Sequence, residues 1–271
     1  MPELPEVETI RCGIEPFIKG RCVTQVVVRT PRLRWPIPAD LANRLCGQAV
    51  YEVERRAKYL LLRTKVGTLL IHLGMSGFLR VLQQPHAPGK HDHVDIEFAG
   101  GICLRLNDVR RFGAMLWLDG DPMHHPLLAG LGPEPLSEEL GGAYLYQRSK
   151  GRRLAVKPFI MDSKVVVGVG NIYASESLFR AGIDPTRAAG RISLARYHRL
   201  AEVIRQVLLE AIAAGGTTLR DFSDQDGRPG YFTQQLQVYG RDGQPCSTCG
   251  QDIVKIQLGQ RSTYFCRQCQ R

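Results

Sequence analysis

After its initiator methionine the chain reads Pro2-Glu3-Leu4-Pro5-Glu6, a secondary amine beside two carboxylates. Methionine before a small residue such as proline is the usual context for initiator removal, and no apolar leader suggests export. A free prolyl nitrogen that condenses with an aldehyde-level carbon has no second hydrogen to lose. The product is a charged iminium, an electron sink for the carbon beside it and the basis of Schiff-base catalysis. An α-amine titrates near roughly 8, so much of it is nucleophilic at neutral pH. Glu3 and Glu6 add groups able to protonate a leaving group or relay a proton. The same residues also read as the acidic first turn of a helix with an early proline.

The second chemical constellation lies at the other end. Cys246, Cys249, Cys266 and Cys269 have the spacing C-x₂-C-x₁₆-C-x₂-C, which points to one Zn²⁺ held by four thiolates. Four thiolates close the coordination shell and leave no place for an activated water, so the zinc is expected to be structural. The remaining cysteines, Cys12, Cys22, Cys46 and Cys103, stand singly and read as small buried residues in a reducing compartment.

These residues need a frame to position them. The 271 residues suffice for one large or two modest domains, and 36 Lys and Arg against 26 Asp and Glu give a formal charge of +10. That excess, spread along the chain, predicts a folded basic groove for a polyanion, nucleic acid above all. No apolar run reaches membrane-spanning length, so no membrane partner is expected, and without a leader sequence the expected location is cytoplasmic. A helix to about Gly13 leads into a β-branched strand at Arg21–Arg29, and a proline-rich loop follows over Thr30–Asp40. Tyr59–Thr64 with Thr68–Leu73, and Val94–Phe98 with Ile102–Leu106, read as hairpins; in the second, apolar and acidic residues alternate. No βαβ alternation appears. The expected class is α+β, with an antiparallel β-sandwich and a leading helix over residues 1–120.

Prolines and glycines in Asp121–Pro135 predict a linker, and helices dominate over 136–236. Asn171 is placed as the N-cap of a helix over Ile172–Ala181 closed by Gly182. Ser193 caps a longer helix ending at Gly215-Gly216, with an apolar face through Leu194, Tyr197, Leu200, Ile204, Leu208 and Ile212. Thr217–Gln235 is polar and is expected to be a loop. Residues 240–271 form the zinc module, too short to bury a core without metal.

Taken together, Met1–Glu8, Arg55-Arg56-Ala57-Lys58-Tyr59, His72-Leu73-Gly74-Met75-Ser76-Gly77, Lys90-His91-Asp92-His93, Arg110-Arg111-Phe112-Gly113, Gly168–Ser177 and Gln260-Arg261 closely resemble the bacterial formamidopyrimidine-DNA glycosylases over essentially the whole chain. The resemblance implies a β-sandwich, a helix–two-turn–helix module and a zinc finger. It further implies base-excision repair of duplex DNA by a monomer: removal of oxidised purines (8-oxoguanine and formamidopyrimidines), then β,δ-elimination at the abasic site. Pro2 would be the nucleophile, Glu3 the proton donor, Lys58 the donor in the first elimination and Arg261 the residue of the second. Free arginine is a poor acid, so phosphate clamping is the better physical role for Arg261. His91, Arg110, Arg152, Lys157 and Asn171 match DNA contacts, with Arg152 open to replacement by a neighbour. Met75, Arg110 and Phe112 match residues that fill the hole left by the extruded nucleotide, although on apolar character alone Met75 and Phe112 read as core. The loop 217–235 would cap the lesion. Two alternatives stand beside this reading: an endonuclease VIII-like glycosylase for oxidised pyrimidines, and a zinc-ribbon DNA-binding protein without catalysis.

Overall fold

The computed structural model describes residues 2–84, 86–216 and 235–271. The expected lesion-capping loop lies, apart from Gln235, outside the described residues. The chain divides into two compact units, with one boundary between Ala129 and Gly130.

The first unit opens with helix α1 (Leu4–Ile18), five residues longer than the sequence suggests because Pro16 falls in its last turn, where few backbone bonds remain to be broken. Its buried stripe of Val7, Ile10, Ile14 and Ile18 joins the core of two antiparallel sheets. One sheet has the order β1 (Val23–Val28), β6 (Asp92–Phe98), β7 (Ile102–Asp108), β5 (Gly77–Leu82). The other runs β2 (Glu52–Arg56), β3 (Tyr59–Thr64), β4 (Gly67–His72), β8 (Ala114–Leu118). Leu60, Leu62, Leu69 and Ile71 from one sheet share a core with Val94, Ile96, Leu104 and Leu106 from the other. Short α2 (Leu41–Leu45) follows the proline-rich loop. The expected linker holds a turn of 3₁₀ helix at Pro122–His124 and the short α3 (Pro126–Ala129).

The second unit is helical: α4 (Gly142–Ser149), α5 (Val156–Met161), α6 (Asn171–Arg180) and α7 (Leu194–Ala213), closed by the ribbon hairpin β9 (Val254–Leu258) and β10 (Arg261–Phe265). Ser193 caps α7 by accepting the Arg196 N–H. Tyr197, Leu200, Ile204 and Leu208 are buried as their spacing predicts, but Leu194 is 42% exposed because the first turn overhangs the core. Gly182 ends α6 with φ +68°. The ribbon has only a small core, in which Val238, Ile253, Cys246 and Cys266 pack with Phe179 of α6. Among the described residues no helix is long and apolar enough to cross a membrane.

Candidate active site and nucleic-acid interface

Pro2 is buried at the head of α1. Glu3 occupies the N-cap, only 3% exposed, and its N–H donates to Glu6 Oε2 at 2.8 Å in a capping box. The acidic start therefore forms the helix cap that its sequence suggests. Glu3 and Glu6 are buried carboxylates close to the chain terminus, and the cap fixes their orientation.

Lys58 sits on the two-residue turn joining β2 to β3, where Arg56 pairs with Tyr59. Ala57, its partner in the turn, has φ +56°. Glu8 of α1 reaches this turn through Arg55, whose Nε donates to Glu8 Oε2 at 2.7 Å and whose Nη1 donates to the Ala57 carbonyl at 3.0 Å. Burial would raise the Glu8 pKa, but the hydrogen bonds and charges of Arg11 and Arg55 hold it below the usual carboxylate range. Helix α1 and the lysine turn are thus tied by an ionised pair.

His72, at the end of β4, adds a group to which sequence reasoning gave no role. Its ring packs on Tyr59 at 4.9 Å, and its Nδ1 accepts the Gly74 N–H at 3.1 Å. Burial, then the charges of Lys58 and Arg34, lower its pKa to about 4. It is a neutral imidazole with its remaining proton on Nε2 at neutral pH.

Met75 and Phe112 do not join the core: they are 36% and 45% exposed, on the turn after β4 and the loop between β7 and β8. The Arg110 guanidinium lies 4.9 Å from the Phe112 ring centroid, and Arg110 itself is exposed. Two apolar side chains and a planar cation thus project from adjoining loops. His91 is half-buried ahead of β6, its ring edge-on to His93.

In the second unit Arg152 is exposed on the loop after α4, and Arg261 is exposed at the start of β10. Lys157 differs from the surface charge that its residue type suggests. It is 1% exposed, and its Nζ donates to Asn171 Oδ1 (2.7 Å), the Ser262 carbonyl (3.0 Å) and Thr263 Oγ1 (2.8 Å). Asn171 is not an N-cap: Gly170 holds that position, and the Asn171 amide donates to the same Ser262 carbonyl at 3.0 Å. The sequence signal found the right helix boundary, but the side chain turns to the ribbon instead of back onto its own helix. Lys157 and Asn171 therefore fix the residue next to Arg261. Glu176, also outside the sequence reading, is 1% exposed and accepts the N–H groups of Gln237, Val238 and Tyr239 at 2.8–3.0 Å. Burial raises its pKa, an effect that the three backbone donors oppose.

The four ribbon cysteines converge, their sulfurs all within 4.8 Å of one another. Cys246 Sγ lies 3.9 Å from Cys269 Sγ, and Cys249 Sγ lies 3.4 Å from Cys266 Sγ. A tetrahedral zinc with bonds of about 2.3 Å requires sulfurs about 3.8 Å apart, so the donor set fits one structural Zn²⁺. Cys12, Cys22 and Cys46 are exposed, and of the four single cysteines only Cys103 is buried. Exposure follows from their places on the solvent side of α1, ahead of β1 and after α2.

Three non-glycine residues among those described adopt positive φ: Ala57, Arg111 and Gln260. Each adjoins a candidate, respectively Lys58, Arg110 with Phe112, and Arg261. Such backbone costs on the order of 1 kcal/mol or more per residue and clusters where a side chain must be aimed.

An amine-headed sandwich joined to a basic helical unit with a metal-held ribbon defines a DNA-processing enzyme of the glycosylase and lyase class. Comparison with known proteins gives the family. Residues 1–115 match the formamidopyrimidine-DNA glycosylase N-terminal domain, 131–223 the H2TH domain of the same enzymes and 243–271 the zinc finger found in FPG and IleRS. A formamidopyrimidine-DNA glycosylase from Syntrophotalea carbinolica is 64% identical over 271 residues, covering both chains fully. A crystal structure of a Lactococcus lactis FPG mutant with Fapy-dG-containing DNA superposes with TM-score 0.92 at 33% identity over all of both chains. The L. lactis enzyme with abasic-site DNA gives TM-score 0.91 at 32% identity over 99% of each. The chain belongs to the formamidopyrimidine-DNA glycosylase family, whose members combine glycosylase and abasic-site lyase activities.

Proposed function

We propose that this chain excises oxidised purines, 8-oxoguanine and formamidopyrimidines, from duplex DNA and cuts the resulting abasic strand, acting as a monomer. The carrying observation is the buried Pro2–Glu3 head of α1, close in sequence to the Glu8–Arg55 pair that holds the Lys58 turn. The damaged nucleotide leaves the stack, since its anomeric carbon is out of reach inside a duplex. Pro2 nitrogen attacks that carbon, and Glu3 donates a proton as the base departs and the sugar ring opens. The iminium acidifies the neighbouring carbon, so that the 3′ and then the 5′ phosphate are eliminated. Lys58 donates a proton in the first elimination.

Arg261 clamps a phosphate and stabilises its charge through the second elimination. His91, Arg110 and Arg152 contact DNA directly. Asn171 and Lys157 serve the same interface by holding the residues around Arg261, since a lysine 1% exposed has little surface to offer a phosphate. Met75 and Phe112 fill the emptied stack, a role favoured by their exposure, and Arg110 addresses the orphaned base.

A duplex carrying a single 8-oxoguanine tests the reading. The expected product is a one-nucleotide gap flanked by two phosphates, formed faster than from a duplex with an oxidised pyrimidine. Preference for the pyrimidine would favour the endonuclease VIII-like alternative, and binding without cleavage would favour a non-catalytic ribbon protein.

A further inference from the structure

The turn bearing Met75 and the loop bearing Arg110 and Phe112 are joined by two residues outside the assigned set. Asp108, fully buried, accepts the Ser76 hydroxyl on Oδ1 at 2.7 Å and the Gly113 N–H on Oδ2 at 2.8 Å. Ser76 Oγ in turn accepts the Arg110 N–H at 3.1 Å. The Asp108 backbone adds further ties. Its N–H donates to the His91 carbonyl at 3.0 Å, and its carbonyl accepts from His93 Nε2 at 2.8 Å.

The two segments also meet backbone to backbone. A Cβ on Gly74 would lie 2.4 Å from the Phe112 carbonyl carbon, and one on Gly113 would lie 2.8 Å from the His72 carbonyl oxygen. Only glycines allow this approach. The hydroxyl–carboxylate pair then fills the space beneath the joined loops with satisfied hydrogen bonds, which a buried carboxylate requires.

We propose that Ser76 and Asp108 are positioning residues that lock the Met75 turn to the Arg110–Phe112 loop as one rigid reading head, so that selectivity for the base opposite the lesion depends on them. The proposal rests on the reading of Arg110 as the residue that addresses the orphaned base. A guanidinium only donates. It matches the two acceptors, N3 and O2, on the pairing edge of cytosine, whereas adenine presents one acceptor beside a donor. Discrimination of this kind needs an aimed guanidinium, and the bond from the Arg110 N–H to Ser76 fixes the backbone that aims it.

The test compares single-turnover excision of 8-oxoguanine opposite cytosine and opposite adenine, expressed as a ratio. Arg110→Ala should lower the ratio by about tenfold and Ser76→Ala by at least about threefold, the scale of one lost or misdirected hydrogen bond. The double variant should match Arg110→Ala, because Ser76 acts on the ratio through Arg110. Asp108→Asn can turn its oxygen to Gly113 and its amide to Ser76, so it should recover most of the ratio. Ser76→Cys, which keeps a weak donor, replaces the alanine variant if thermal unfolding shows that the latter is not folded, and should lower the ratio by a smaller factor. Equal loss on both substrates with the ratio intact would overturn the proposal, as would multiplicative losses in the double variant. If Arg110→Ala itself leaves the ratio unchanged, the reading of Arg110 fails and the proposal falls with it. If Arg110→Ala moves the ratio and Ser76→Ala does not, the proposal alone fails.

Discussion

The two units hold the side chains proposed for function by different means. In the first, Pro2, Lys58, Met75 and Arg110 stand on a helix terminus and turns at the edge of a sandwich whose buried core, among the described residues, runs from Val7 to Met115. The frame is stable by burial, and polar groups such as Glu8–Arg55 and Ser76–Asp108 have only to aim. In the second, Arg261 stands on a two-stranded hairpin whose small core includes two of the zinc-binding cysteines. In this ribbon, unlike the helices of the same unit with their own apolar core, the polar groups and the metal are the frame. A charged residue lost from the first unit should therefore damage aim, whereas one lost from the ribbon should damage structure.

Metal removal is expected to separate the units most sharply. Chelation, or Cys249→Ser, should unfold the ribbon, because metal-binding free energy in such modules is folding free energy, about 10–16 kcal/mol in isolated zinc-finger peptides. The sandwich should persist. Circular dichroism, zinc content and a damaged-duplex titration should report partial loss of structure, complete loss of metal and weakened binding. Unchanged DNA affinity without zinc would remove the ribbon from the interface.

Next in size is Lys157→Met. Filling its place with an apolar chain of similar length leaves Asn171 Oδ1 and Thr263 Oγ1 short of a donor, at a cost of about 2–4 kcal/mol. Denaturant unfolding followed by a ribbon probe should show this loss, and a probe of the sandwich should not. An equal shift in both would mean that the two units unfold together.

The smallest effect belongs to His72 and to pH. Its folded pKa of about 4 lies below the ordinary value of 6.5, so the folded protein keeps it neutral while an unfolded chain takes up a proton as pH falls. Little contribution to pH dependence is expected above about pH 7.5, and stability is lost progressively as pH falls through 6.5 towards 4. Between pH 6.5 and 5 the loss should be about 1.5–2 kcal/mol greater in the parent protein than in His72→Gln, measured by denaturant unfolding. Parallel curves for the two proteins would show that His72 titrates normally.

What the sequence disclosed follows the same division. Both hairpins at the centre of the sheets, β3–β4 and β6–β7, were legible from their apolar patterning. The sandwich strands missed, β2, β5 and β8, are all edge strands. Glu52–Arg56 buries only Val53, and Gly77–Leu82 opens on a glycine, so neither carries a strong strand pattern. The zinc ligands were legible because their spacing is itself the geometry of the site. Lys157 was not, since residue type suggests a surface charge and only tertiary packing brings three oxygens around its ammonium. The same limit applies to Cys12, Cys22 and Cys46, for which composition favoured burial. The aimed turns at Ala57 and Arg111 were invisible because no glycine stands at those positions, whereas Gly259 beside Gln260 does mark the ribbon turn.

Whether the amine of Pro2 is the nucleophile can be measured directly. Borohydride reduction during turnover of an 8-oxoguanine duplex should trap a covalent protein–DNA adduct, which proteolysis and mass spectrometry can map. A single adduct is expected on the peptide beginning at Pro2 with Met1 removed, with loss of most trapping in Pro2→Gly and duplex binding retained. An adduct mapped to Lys58 or another lysine, or undiminished trapping in Pro2→Gly, would contradict that role for Pro2.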